Sequence, residues 1–248
     1  MTLPLAGFKA LSFDCYGTLI DWETGIWEAF RPLFETNSAQ APGRAEVLAA
    51  FSEIEPAVEE KHGDSLYREI LSRAHRELAV RFRVDSTPEL DTLFGNSVGS
   101  WPAFDDSPGA LAYLKRHFRL VILSNIDRMS FAASNARLGV EFDAIYTAED
   151  IGTYKPDRHN FDYLVEHLDD DLGIEKHQVL HVAQSLFHDH GPAKQLGFTT
   201  AWIDRQRLSE GGDWGATAHV ENPPEPDYVF FSMAEFADAM ASEFGDRR

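Results

Sequence analysis

Asp14 is the residue of this 248-residue chain whose surroundings best suit covalent chemistry. It follows the largely apolar run Leu11–Phe13 and precedes a Gly17-Thr18 pair, which predicts a buried strand that ends in a tight turn. A carboxylate held at the carboxyl end of a strand can act as a nucleophile. Enzymes that transfer phosphate with such an aspartate commonly carry a second acid two residues later, and here Tyr16 holds that position. The sequence therefore favours displacement chemistry other than phosphate transfer.

Three later segments carry further polar residues where apolar runs end or helices begin. Val121–Asn125 predicts a strand that ends in a hydroxyl and an amide. Lys155-Pro156 lies just before a helical pattern, and His181–Asp189 begins as a strand and ends in an acid. Because the carboxyl ends of parallel strands meet at one edge of a sheet, we expect the polar residues of these segments to gather around Asp14.

Taken in order, the four segments resemble the four motifs of the haloacid dehalogenase superfamily, and they span nearly the whole chain. The closest resemblance is to the type II L-2-haloacid dehalogenases and the azetidine-2-carboxylate hydrolases; residues 13–25, FDCYGTLIDWETG, are especially similar to the latter. The resemblance implies a hydrolase in which Asp14 is the nucleophile and Lys155 neutralises it and stabilises the developing charge. Thr18 would hold the Asp14 carboxylate, and Asp189 would orient Lys155 or the hydrolytic water.

The resemblance also implies contacts with the substrate. Ser124 and Asn125 would cradle a substrate carboxylate with hydroxyl, amide and backbone N–H groups, and Tyr16 and Trp22 would form walls of the pocket. Ordinary structural roles stay open for the same residues. Thr18, Ser124 and Asn125 could cap turns or helices, and Trp22 could pack in the core.

The fourth motif bears on metal binding. Phosphatases of the superfamily carry Gly-Asp where this chain has Ala183-Gln184, and their acids hold Mg²⁺. With uncharged side chains at both Tyr16 and Gln184, we expect no metal and no cofactor. His181, His188 and His190 surround an acid but lack the spacing of a zinc site.

The chain also departs from the dehalogenase pattern. Phe161, Gln184 and Leu186 stand where dehalogenases carry tyrosine, serine and asparagine. Arg44 lies at about the sequence distance from Asp14 of the cap arginine that meets the leaving halide in those enzymes. These departures leave the expectation of displacement at carbon intact, but they leave the identity of the leaving group open.

The order of the periodic segments predicts an α/β fold, with a Rossmann-like parallel-sheet core and an inserted helical cap. Apolar residues recur at helical spacing from Trp22 to about Trp101, and strands alternate with helices after Pro102. We expect residues 1–20 and 102–248 to form the core and residues 21–101 to form a cap over the site. Ser209–Pro226, rich in Gly, Pro and Glu, predicts a long surface loop.

Composition sets the outer bounds on function. The formal net charge of −19 argues against nucleic acid and against an anionic membrane surface, and no apolar stretch is long enough to predict a membrane span. No signal peptide is recognisable at the N-terminus. Cys15, the single cysteine, is expected to pack in the core and fits a reducing cytoplasm. The expected partner is a small carboxylate, with a homodimer left open.

These observations predict a metal-independent hydrolase that displaces a leaving group from carbon of a small carboxylic acid through an aspartyl ester. The leaving group is a halide in a 2-haloacid dehalogenase-like reaction, or a ring amine in an azetidine-2-carboxylate hydrolase-like one. For an amine, Tyr16, Glu149 and His188 are open candidates for the proton donor. A Mg²⁺-dependent phosphatase and a non-catalytic binding protein are the less favoured alternatives, and the retained Asp14–Lys155 pair argues against the second.

Overall fold

A six-stranded parallel sheet forms the centre of the molecule, with the strands in the order β3-β2-β1-β4-β5-β6. The structure is a computed structural model that describes residues 4–35 and 42–246. The strands are β1 Ala10–Phe13, β2 Arg119–Ser124, β3 Ala144–Thr147, β4 Val179–Ala183, β5 Thr199–Ile203 and β6 Tyr228–Phe230. The α/β fold with a Rossmann-like parallel sheet, predicted from the sequence, is confirmed.

The register of the central strands brings the candidate residues to one edge. Phe13 of β1 pairs with Ile122 of β2 on one side and with Val182 of β4 on the other. All four residues of β1 are buried, as expected for a strand covered on both faces of a parallel sheet. The residues that follow β1, β2 and β4 therefore emerge next to one another, at the end where open α/β sheets bind ligands.

Helices cover the two faces of this sheet. They are α5 Ser107–Leu114, α6 Arg128–Leu138, α7 Ala148–Ile151, α8 His159–Leu172, α9 Gly191–Gln195 and α10 Met233–Phe244. A π-helical turn, Leu186–His190, connects β4 to α9. Leu11 and Phe13 pack with the helices on one face, whereas Ala10 packs with Val121, Leu123 and Phe161 on the other. This alternation is the two-residue period of a strand.

Along the described part of the chain, four α-helices separate β1 from the later strands, and we call residues 22–100 the cap. They are α1 Trp22–Glu35, α2 Arg44–Lys61, α3 Tyr67–Phe82 and α4 Pro88–Gly95. The chain leaves and re-enters the core side by side, because Ile20 bridges to Ala103. A Cβ on Gly25 would lie 2.2 Å from the Trp101 ring, so glycine permits the close approach where the cap begins. That the cap is a domain of its own stays a prediction.

Two sequence-based expectations need comment. The sequence also predicts a break between helices at Ala41-Pro42-Gly43, and Ala41 lies outside the described residues. The predicted surface loop Ser209–Pro226 has little regular structure, but Ala216 within it is buried at 4% exposure. None of the described helices is long and apolar enough to cross a membrane.

Candidate active site

Asp14 lies immediately after β1 and is buried, with 6% of its surface exposed. Its Oδ2 accepts a hydrogen bond from Thr18 Oγ1 at 2.7 Å. The turn between them passes through Gly17 at a φ of +96°, a backbone conformation that glycine adopts without strain. The Thr18 Oγ1 also accepts from the backbone N–H of Gln184 at 2.9 Å. Thr18 thus fixes the Asp14 carboxylate and ties the turn after β1 to the end of β4.

Lys155 reaches into this edge of the sheet and is 1% exposed. Its Nζ donates to Asp14 Oδ1 at 2.9 Å, to Asp189 Oδ1 at 2.7 Å and to the Leu123 carbonyl at 2.9 Å. Those three bonds use all three ammonium protons. The Asn125 side chain holds the Lys155 backbone from both sides, at 2.9 Å to its carbonyl and 2.6 Å to its N–H. Asn125 also lines the cavity over Asp14, but its amide is occupied in positioning Lys155.

Asp189 lies in the π-helical turn and is fully buried. Its Oδ1, besides accepting from Lys155, lies 3.1 Å from His181 Nε2, and the other ring nitrogen of His181 lies 2.9 Å from Ser12 Oγ. Asp189 Oδ2 has no hydrogen-bond partner within the described part of the chain. A continuous polar chain therefore runs from Ser12 through His181 and Asp189 to Lys155 and Asp14.

The charges of this cluster shift one another's pKa values. Burial raises the pKa of Asp14, and the nearby Asp189 adds to this, while Lys155 and Thr18 oppose it. For Asp189, Lys155 and His181 outweigh burial and hold the pKa of the carboxyl well below its usual range. For Lys155, burial acts to lower the pKa, but the two aspartates outweigh it and raise the pKa. Asp14 is the more basic carboxylate of the two, which suits it to be the nucleophile, and Asp189 is the permanent anion.

A cavity of about 110 Å³ opens over Asp14 between the core and the cap. Its core side includes Ser124, which is 2% exposed and whose Oγ has no hydrogen-bond partner in residues 4–35 and 42–246. This volume holds several water molecules or one small molecule. The lining residues contributed by the cap, with the adjoining Trp101, are Trp22, Phe51, Ser52, Glu55, Pro56 and Tyr67.

Tyr16 and Trp22 both line the cavity, and their contact with a substrate stays a prediction. The Tyr16 hydroxyl lies 2.9 Å from Ser134 Oγ, and its ring packs edge-on against Trp101 with centroids 5.6 Å apart. Trp22 packs against Phe51 at a centroid distance of 5.8 Å. The wall beside Asp14 is therefore aromatic.

Glu55 and Tyr67 are cavity residues that the sequence did not single out. The Tyr67 hydroxyl donates to Glu55 Oε1 at 3.0 Å. The Glu55 side chain also hydrogen-bonds to Glu59, one helical turn along α2. Burial raises the pKa of Glu55 to about 7 and that of Glu59 well above its usual range. The sequence signal for this pair was two acids at i and i+4 beside the apolar Phe51.

The segment predicted as a surface loop supplies another wall. Thr217 and its neighbours Ala216 and Ala218 line the cavity. The Gln184 Nε2 donates to Thr217 Oγ1 at 3.0 Å and to Gln206 Oε1 at 2.8 Å. The expectation of a purely surface loop was therefore wrong for its middle, because these hydrogen bonds draw it over the end of β4.

The three candidate proton donors differ in position. His188 lines the cavity with Tyr16, and burial lowers the pKa of His188 to about 4, so its ring is neutral at neutral pH. Glu149 does not line it; its Oε2 accepts from the Arg128 backbone N–H at 2.9 Å. Arg44 also lies outside the cavity lining, where its guanidinium donates to Thr24 Oγ1 at 3.1 Å.

His181, His190 and Cys15 have structural contacts outside the cavity. His190 Nε2 lies 3.0 Å from the Ala183 carbonyl, and Phe161 packs edge-on against His181 at 5.1 Å. Cys15 is fully buried in the core. These contacts account for the rings by packing and hydrogen bonding.

The donor set at Asp14 does not fit Mg²⁺. One oxygen of Asp14 accepts from Lys155 and the other from Thr18, so a cation there would compete with both. The Lys155 ammonium already lies between the two carboxylates. Gln184, at the position of the missing acid, presents an amide whose N–H groups are bound to Gln206 and Thr217, and amides are weaker ligands for hard cations than carboxylates.

Comparison with known proteins agrees with this geometry. The model of the haloacid dehalogenase-like hydrolase family matches residues 8–197, more than three quarters of the chain. A search of curated protein sequences gave no significant match.

Solved structures share the fold at low sequence identity. The L-2-haloacid dehalogenase of Xanthobacter autotrophicus with chloropropionic acid covalently bound is 19% identical, with a TM-score of 0.76 over 94% of this chain and 98% of that chain. Another L-2-haloacid dehalogenase gives 20% identity and a TM-score of 0.76 over 95% and 100% of the two chains. The HAD-hydrolase YfnB of Bacillus subtilis, bound to magnesium, gives 17% and 0.72 over 96% and 99%. By its family match and its fold, the chain belongs to the haloacid dehalogenase-like hydrolases.

Proposed function

We propose that the protein is a metal-independent hydrolase that displaces a leaving group from carbon of a small carboxylic acid through an ester on Asp14. The observation that carries the proposal is the Lys155 ammonium, 2.9 Å from Asp14 in a cavity lined in part by aromatic side chains. A buried carboxylate paired with a fixed ammonium, and lacking the acids that hold Mg²⁺, suits displacement at carbon. The covalent chloropropionic acid complex of a fold relative supports the same assignment.

The reaction begins with attack of an Asp14 oxygen on the substrate carbon. The new C–O bond forms as the bond to the leaving group breaks, and the electron pair departs with that group. Water then attacks the carbonyl carbon of the Asp14 ester, and the product leaves as a hydroxy acid that keeps the former Asp14 oxygen. Lys155 stabilises the negative charge on the tetrahedral intermediate, and Asp189 keeps Lys155 in place.

Ser124 is the proposed contact for the substrate carboxylate. Its Oγ is buried and lacks a partner among the described residues, and Ser124 lines the cavity together with Asp14. A buried hydroxyl without a hydrogen bond costs free energy, which a bound carboxylate would recover. The carboxylate at Ser124 would then direct the neighbouring carbon toward Asp14.

A turnover panel tests this proposal. We expect the wild-type protein to convert L-2-chloropropionate or azetidine-2-carboxylate with the same rate before and after EDTA treatment, and to leave p-nitrophenyl phosphate largely intact. Asp14→Asn should fold normally and lose turnover almost completely, because no alternative nucleophile is held in the same place. Phosphate release that requires Mg²⁺ would instead assign a phosphatase. An Asp14→Asn variant with more than a small percentage of the wild-type rate would exclude Asp14 as the nucleophile.

A further inference from the structure

An acidic pair on the cap faces the nucleophile across the cavity. Glu55 lines the same cavity as Asp14, and two groups support it from behind, the hydroxyl of Tyr67 at 3.0 Å and the carboxyl of Glu59. Glu59 itself is 8% exposed. A hydrogen bond between two carboxyl groups requires a proton, which the more deeply buried Glu59 retains. Glu55 is therefore the member of the pair that presents its charge to the cavity.

The groups around Glu55 fix when it carries charge. Tyr67 on α3 and Tyr154, on the loop before Lys155, are neutral because burial raises the pKa of each phenol. Across the cavity, Asp14, Asp189 and Lys155 form the buried cluster already described, and His188 is neutral. Burial raises the pKa of Glu55 to about 7, so a bound cation would draw it into its ionised form near neutral pH.

The rest of the cap side suits a cation. Tyr16, Trp22, Phe51 and Trp101 line the same cavity as Glu55 and bring aromatic rings to it. Ring faces attract ammonium groups, and a carboxylate set among aromatic rings is a common way of binding them. Among the described residues that line the cavity, Lys155 is the single cationic side chain, and its three protons are engaged. A departing halide would thus meet a carboxylate and no free cation on the cap side.

Ser124 provides an independent observation at the other side of the cavity. It is 2% exposed, and its Oγ has no partner in the described part of the chain, so a ligand must supply one if the hydroxyl is to be satisfied. A carboxylate is an acceptor that would satisfy this hydroxyl. The cavity thus has one place for an anion and another for a cation.

We propose that Glu55, supported by Glu59 and Tyr67, binds the ammonium group of the substrate, which is a small zwitterionic amino acid whose C–N bond is broken. This inference rests on the proposed function for the covalent step and adds the leaving group and its binding site. Halide displacement and ring-amine displacement were both open from the sequence, and the acid of the cap favours the amine.

The step balances without a further reactant. The substrate enters as an ammonium ion paired with ionised Glu55. The Asp14 oxygen forms a bond to the carbon as the C–N bond breaks, and the electron pair of that bond stays on nitrogen. The nitrogen leaves as a neutral amine and takes a proton from the carboxyl pair to become an ammonium again. Water supplies the OH that releases the hydroxy acid from Asp14 and the proton that restores the pair.

Equilibrium binding tests the ammonium site separately from the covalent reaction at Asp14. The Asp14→Asn protein prevents turnover, and calorimetry compares L-azetidine-2-carboxylate with cyclobutanecarboxylate, which has the same ring and carboxylate but no amine. At about pH 8 we expect the amino acid to bind at least about tenfold tighter, since a hydrogen bond to a charged group contributes this much. Adding Glu55→Gln should reduce that advantage to less than about threefold, whereas adding Glu60→Gln, on the exposed side of the same helix, should leave it unchanged.

A second variant and a change of pH test the same site in two further ways. Tyr67→Phe retains the Glu55 carboxylate but removes its hydrogen bond from Tyr67, and should reduce the binding advantage of the amino acid about threefold. This variant tests the same site independently of Glu55→Gln. Lowering the pH to about 5 should weaken amino-acid binding in the presence of Glu55 and not in the Glu55→Gln protein. Equal binding of the two ligands, no binding of either, or an advantage that survives Glu55→Gln would overturn the ammonium site. The Asp14 turnover panel, which does not depend on these variants, reports separately on the covalent mechanism.

Discussion

Replacement of Lys155 by methionine removes the cation between two buried carboxylates while keeping a side chain of similar length. The wild-type ammonium lies 2.9 Å from Asp14 and 2.7 Å from Asp189, which are 6% and 0% exposed. Removing one partner of a buried ion pair costs about 3–5 kcal/mol, because the remaining charges stay desolvated. With two carboxylates left facing each other, we expect Lys155→Met to lose stability in this range at neutral pH.

The pH dependence of this loss has a defined sign. In the wild-type protein the pKa of Asp189 lies below its unfolded value, so its contribution is present above about pH 4 and is lost as the pH falls. Asp14, whose pKa is raised, acts in the opposite direction. In Lys155→Met the ammonium no longer opposes burial, and only Thr18 and His181 still do. We expect both carboxyl pKa values to rise above their unfolded values. The folded variant then binds more protons than the unfolded chain, and its stability falls as the pH rises from about 4 to 7.

Urea denaturation from about pH 4 to pH 8 measures both quantities, with Lys9→Met as the control because Lys9 is exposed. The destabilisation of Lys155→Met relative to wild type should grow with pH, and the control should follow the wild-type curve. A loss below about 1 kcal/mol at neutral pH, with the wild-type pH profile retained, would show that the three charges are not coupled as the geometry indicates.

Three further outcomes follow from the site. Thr18→Val should lower kcat about 10- to 100-fold with little change in KM, since it removes the hydrogen bonds to Asp14 and Gln184. Steady-state kinetics on the converted substrate measure this, and an unchanged kcat would show that Thr18 only shapes the turn. Exhaustive EDTA treatment should leave turnover unchanged. Loss of turnover with EDTA that Mg²⁺ alone restores would contradict the assignment. Glu55→Gln should stabilise the protein by about 2 kcal/mol near pH 8 and much less near pH 5, because ionising a buried acid of pKa about 7 costs free energy; identical urea midpoints would argue against that burial.

Much of the core could be predicted from the sequence because parallel strands impose their own geometry. Asp14 and Asp189 come after β1 and β4, and Ser124 is the last residue of β2. The strand assignments were therefore enough to predict that these residues lie close together. Lys155 could be predicted from its motif, but its triple hydrogen bond could not. The grip of Asn125 on the Lys155 backbone was also missed, since an amide at a strand end is read equally well as a substrate contact.

The cap side of the site could not be predicted from the sequence, because tertiary packing decides which face of a helix is turned toward the site. Nothing in the spacing of α2 says whether Glu55 faces solvent or the cavity, and most charged residues at such positions are exposed. Thr217 was missed for a related reason. It lies in a segment rich in Gly and Pro that predicts a surface loop, and its placement depends on long-range hydrogen bonds from Gln184.

The origin of the product oxygen tests the covalent account most directly. In a single turnover of L-azetidine-2-carboxylate in H₂¹⁸O with enzyme in excess, the hydroxy acid should carry unlabelled oxygen taken from Asp14. The label should appear in the Asp14 carboxylate, as a mass shift of the peptide that contains Phe13–Tyr16. Labelled product with an unshifted peptide would contradict the account, because water would then attack the substrate directly and Asp14 would act only as a base.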